Sequence, residues 1–64
     1  MVKINGVENE VAGMTLMDYL RGAGYSLDRI AVECNGQLIR KADYAGKVLE
    51  DGDCLEVVSF VGGG

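Results

Sequence analysis

Asparagine is followed by glycine at two points in this chain, Asn5-Gly6 and Asn35-Gly36, each time between short apolar-containing runs. That dipeptide is the strongest short-range hairpin signal, because both residues tolerate the positive φ that a tight turn demands. The first pair is preceded by Val2-Lys3-Ile4-Asn5, which alternates apolar and polar as a half-buried strand does. Val7 to Val11 reads as the return strand, with Glu8 and Glu10 on its wet face. Around the second pair, Ile30 to Cys34 places Val32 and Cys34 on one face and Ala31 and Glu33 on the other. Gln37-Leu38-Ile39 is its short return, ending at Arg40. Two hairpins take up much of a 64-residue chain.

Between the hairpins the period changes. Thr15 is a good helix N-cap, and Asp18 three residues on resembles a capping box with the shorter acid. Leu16, Leu20 and Ala23 fall at i, i+4 and i+7, and Met17 and Tyr19 extend the stripe. Arg21 suits the negative end of the helix dipole, and Gly22 and Gly24 bracket the C-cap. The spacing predicts one helix over residues 15–22. After the second hairpin, Lys41 to Gly46 reads as irregular or a single helical turn, with Tyr44 tucked in. Val48-Leu49 is a brief apolar touch-down, and Glu50-Asp51-Gly52-Asp53 is an acidic turn. Cys54 to Phe60 is the last strand, valine-rich and therefore expected at the centre of a sheet. It buries its apolar residues best beside the first strand, parallel to it, across a right-handed helical crossover. The expected fold is α+β: a mixed sheet packed on one helix in two layers, the β-grasp or ubiquitin-like architecture. Residues 1–60 form the domain in this reading, and 61–64 form a tail.

Composition excludes most chemistry. There is no histidine, so the commonest general base and metal ligand is missing. Cys34 and Cys54 have no CxxC spacing, do not make a four-ligand zinc site and have no activating partner in sight. Parity puts Cys34 in the core, whereas Cys54 follows a turn on the opposite parity and is expected to be exposed. The acidic turn lacks the later bidentate glutamate of a calcium loop. A net charge of −4 argues against nucleic acid and against an anionic membrane surface. No apolar run approaches the ~20 residues of a membrane span. Met1 leads straight into a strand pattern, so no leader is expected. The reading is a cytoplasmic protein with reduced thiols and no metal or cofactor of its own.

The last strand ends in Val61-Gly62-Gly63-Gly64. Four extended residues reach about 13–14 Å at roughly 3.3–3.6 Å each. Without Cβ atoms, such an arm can enter a channel closed to other residues, and it ends in a carboxylate. The plainer reading is a frayed end or an expression scar. If Leu55, Val57 and Ser59 face the helix, then Val58 and Phe60 face away beside Glu56. They form either a docking patch next to the tail or the ordinary partial exposure of a strand.

Asn35-Gly36 with Arg40, then Leu49-Glu50-Asp51-Gly52-Asp53, Leu55-Glu56-Val57-Val58 and Val61-Gly62-Gly63-Gly64, in that order and spacing, resemble the ThiS family of sulfur carriers in thiamine biosynthesis. The helix start Thr15-Leu16 and Tyr19-Leu20 also fit, and the similarity runs along essentially the whole chain. The chain departs from the pattern in lacking a proline before the arginine of the short return strand, and in its cysteines at 34 and 54. The resemblance implies a carrier that is a substrate of other enzymes. An E1-like adenylyltransferase of the ThiF type would use ATP and Mg to activate the Gly64 carboxylate. A cysteine desulfurase or other sulfur donor would convert it to a thiocarboxylate, and a thiazole synthase of the ThiG type would take the sulfur. Gly62 and Gly63 would form the slender arm, and Val58, Phe60 and Val61 the partner-binding strip. Other readings remain: the small subunit of molybdopterin synthase or another sulfur carrier, a ubiquitin-like modifier joined to lysines, or an interaction module with an inert tail.

Overall fold

The computed structural model of the chain describes residues 1–60. Both asparagine-glycine pairs turn hairpins. β1 (Val2–Ile4) pairs antiparallel with β2 (Val7–Asn9), and β3 (Ile30–Cys34) with β4 (Gln37–Ile39). Asn5 and Gly6 have φ of 49° and 85°, and Asn35 and Gly36 have 53° and 83°. Two successive positive φ angles define the type I′ turn, whose twist matches that of the flanking strands.

The helix α1 (Leu16–Gly22) begins at Thr15, whose Oγ1 accepts the Asp18 N–H at 3.1 Å. This is the hydroxyl half of the expected capping box. The helix ends in a Schellman motif: Gly24 N–H donates to Arg21 O at 3.1 Å and Tyr25 N–H to Leu20 O at 3.0 Å. Gly24 holds the left-handed position at φ 86°. The motif corrects one expectation. Ala23 is not part of the buried stripe; it is the exposed C-cap, because the helix stops at Gly22 before the third repeat reaches the sheet.

β5 (Cys54–Ser59) is the central strand of a five-stranded sheet ordered β2-β1-β5-β3-β4. It runs parallel to β1, with Lys3 opposite Cys54 and Ile4 opposite Leu55, and antiparallel to β3. Leu55 and Val57 of β5 join Val2, Ile4, Leu16, Leu20, Ile30, Val32, Cys34, Tyr44 and Leu49 in one buried cluster. Ser59, expected on the helix side, is exposed near the end of the strand. β2 is also shorter than residues 7–11, because β1 offers only three residues to pair with. Val7, paired with Ile4 on the edge strand, is exposed, while Val11 lies beyond the strand and packs on the core.

Both turn asparagines do more than turn the chain. The Asn5 side chain donates to Val57 O at 3.1 Å and accepts from Val57 N–H at 2.8 Å. It supplies a rung to β5 beyond the point where β1 has turned away. At the other end of β5, Asn35 Oδ1 accepts the Cys54 N–H at 2.9 Å, and its Nδ2 donates to Asp53 at 3.0 Å. The central strand is thus held at both ends by hairpin side chains.

The acidic turn has one structural member. The Asp53 carboxylate accepts from the Glu50 N–H at 2.9 Å and from Asn35, with Lys47 Nζ 3.9 Å away. Its side chain is only 12% exposed. The backbone donor at Glu50, then the Asn35 amide, hold its carboxyl below the usual carboxylate range. A depressed folded-state pKa stabilises the fold above the ordinary carboxylate pKa, and that contribution is lost as pH falls through the lowered value. Asp53→Ala is expected to cost about 1.5–3 kcal/mol, the worth of hydrogen bonds to a charged group. Asp53→Asn should remove this residue's share of the stability lost on acidification. Denaturant titrations from neutral pH down to about pH 2 check both expectations.

Candidate functional site

Whatever the tail does is launched from β5. The strand is paired on both sides, clamped by two asparagines and secured at its end by the Phe60 N–H, which donates to Arg29 O at 2.7 Å. Val61, Gly62, Gly63 and Gly64, expected to carry the chemistry, lie outside the described residues.

The structure brings Val58 and Phe60 together as expected. They are 57% and 56% exposed and alternate with the buried Leu55 and Val57. The face opposite the helix has a regular layout. Val58 lies opposite Ala31 and Glu56 opposite Glu33, while Glu33 has Leu38 on its other side. Leu38, on the edge strand, is 67% exposed and extends the apolar strip. Sequence reading left it out because a three-residue strand shows too little alternation to assign its outward side chain.

The cysteines separate as parity dictates. Cys34 is buried, and burial, followed by the charge of Asp53, pushes its thiol pKa up. This is a core residue rather than a nucleophile. Cys54 is exposed on the other face. It opens on a shallow cleft lined with Met1, Lys3, Glu8, Gly52 and Asp53, at the end of β5 away from the tail. Among the described residues no group of three or more acidic or cysteine side chains gathers as a metal site. No helix there is long and apolar enough to cross a membrane. Burial raises the pKa values of Tyr19 and Tyr44, so both hydroxyls hold their protons more firmly than a free tyrosine. Within residues 1–60 the features are a rigid base and an exposed strip beside the point where the tail begins. The asparagine clamps had no separate sequence signal, because asparagine is already explained there by the turn.

The ThiS family model matches residues 2–64. The chain is 39% identical over 64 residues to a thiazole synthase of Magnetococcus marinus, a match covering 98% of this chain. It is 44% identical over 62 residues to one of Paramagnetospirillum magneticum, covering 95% of this chain. It spans only about a fifth of the length of those two proteins, 20% and 19%. The sulfur carrier protein ThiS of Thermus thermophilus is 34% identical over 64 residues, covering the whole of both chains. Among solved structures, the crystal structure of a thiamine biosynthesis protein (ThiS) from Geobacter metallireducens superposes with a TM-score of 0.76 at 22% identity. It covers 98% of this chain and 97% of that one, and it shares the β-grasp fold. The solution structure of a thiamine biosynthesis protein from the same organism also scores 0.76, at 25% identity, covering 98% and 86% of the two chains.

Proposed function

The chain belongs to the ThiS family of sulfur carriers of thiamine biosynthesis, and from that premise we propose that its Gly64 carboxylate is the atom group that carries the sulfur. A carboxylate is a poor electrophile and must be activated. In an adenylyltransferase of the ThiF type, a Gly64 carboxylate oxygen attacks the α-phosphorus of ATP and pyrophosphate leaves. The sulfur of a persulfide, supplied by a cysteine desulfurase or another donor, then adds at the acyl carbon, and AMP departs. Reductive cleavage of the sulfur–sulfur bond by a thiol leaves the thiocarboxylate. A thiazole synthase takes the sulfur, and Gly64 returns to a carboxylate.

The observation that carries this reading is the match to a sulfur carrier over the whole of both chains. The two thiazole synthases that contain a similar stretch support that enzyme as the consumer. In this reading nucleotide and Mg binding belong to the activating partner, because forming the acyl-adenylate requires both. The carrier is a substrate rather than a catalyst, and it works in the cytoplasm. Residues 61–64 act as the delivery arm, while Val58, Phe60 and Val61 seat the partner. Intact-mass measurement after incubation with the cognate adenylyltransferase, ATP and sulfide tests the proposal. An oxygen-to-sulfur exchange at the C-terminus is the expected result. A mass that never changes with competent partners would sink the carrier reading.

A further inference from the structure

The outer face of the sheet carries a charge arrangement that the fold itself does not use. Glu33 and Glu56 stand directly opposite each other across β3 and β5, and both are exposed. Like charges at opposed positions of an antiparallel pair are destabilising, since their Cβ atoms are only about 5 Å apart. Among the described residues neither glutamate has an ion-pair partner. The paired cations there are the Met1 amine, Arg40, Lys41 and Lys47, and they engage Asp51, Asp43, Asp28 and Asp53. Apolar residues border the two carboxylates on two sides. Val58 opposite Ala31 forms the next row toward the end of β5, and Leu38 lies beside Glu33 on the edge strand. Two unneutralised carboxylates within an exposed apolar strip make an incomplete surface. An apolar contact that also brings a cation would complete it.

We propose that Glu33 and Glu56 together receive an arginine or lysine side chain of the adenylating partner, whose apolar residues seat on Val58, Ala31 and Leu38. This rests on the carrier reading above and adds what that partner must present. A guanidinium fits best, because its planar fork bridges two carboxylates. The occupant is a different protein rather than a second copy, because each copy carries a net charge of −4 and face-to-face pairing would add repulsion. The rows also set direction. Along the chain direction of β5 the glutamate row comes before Val58, and Phe60 comes after it.

The test measures the dissociation constant for the cognate adenylyltransferase, without ATP, at about 50 and about 200 mM salt. The full chain is compared with its Glu33→Gln/Glu56→Gln double variant. The variant should bind about tenfold more weakly at low salt, with the gap narrowing at high salt. Its melting temperature should rise by about 1–4 °C, because the like-charge pair is gone. Affinity and stability moving in opposite directions is a signature that a merely structural role does not give. An unchanged dissociation constant, or affinity and melting temperature falling together, would overturn the proposal. So would a wild-type dimer in sedimentation that the double variant abolishes. The carrier reading is judged separately. Sulfur exchange retained at saturating partner with unaltered affinity removes only the glutamate proposal, whereas no exchange in the wild type removes the carrier reading itself.

Discussion

Deletion of Gly64, or its neighbour's replacement in Gly63→Ala, is expected to abolish ATP–pyrophosphate exchange with the activating enzyme while leaving the fold intact. The reasons are positional and steric. Adenylation needs the carboxylate oxygen in line with the α-phosphorus inside a closed site, and in such steps positioning dominates the rate. Deleting Gly64 leaves the carboxylate one residue short, a retreat of roughly 3.3–3.6 Å. A methyl group at residue 63 widens an arm that three successive glycines keep as thin as a polypeptide can be. Among the described residues the buried core runs from Val2 to Val57, and the fold is expected to survive both changes. The melting temperature should stay within about 3 °C of wild type, as for substitutions away from packed features. Exchange that persists at the wild-type rate in the Gly64 deletion would assign the chemistry elsewhere.

The other large effect is on stability. Leu20 is fully buried at the centre of the helix face, in the cluster that includes Leu16, Leu49, Leu55 and Val2. Leu20→Ala should cost about 2–5 kcal/mol, the sum of lost transfer energy and the cavity left behind. A domain of this length has only about 3–10 kcal/mol in total. The variant should therefore be partly unfolded at 37 °C, with a clear drop in the urea midpoint. An unchanged midpoint would mean that the helix presents a different face to the sheet.

Much of this protein was determined by its sequence alone, because the signals concerned are local. Asn5-Gly6 and Asn35-Gly36 specify turns through backbone φ preferences that need no distant partner. Thr15 and Gly24 mark the helix ends by satisfying backbone groups within a few residues. Parity along β5 placed Leu55 and Val57 inside and Val58 and Phe60 outside, since a strand has only two faces. The order and spacing of these segments, with the terminal glycines, also carried the family resemblance.

Tertiary structure decided what depends on residues far apart in the chain. The length of β2 followed from how much of β1 was free to pair, and Val7, on the edge strand, is exposed although it pairs with the buried Ile4. Ala23 lay on the helical period yet missed the core, because the capping motif turned the chain away first. The Asn5 clamp on Val57 spans 52 positions, and the Asn35 clamp on Cys54 spans 19. No local pattern encodes either bond. Glu33 and Glu56 are ordinary outward residues when each strand is read by itself. Only the register of β3 on β5 sets them face to face, because cross-strand proximity is a property of pairing and not of either strand.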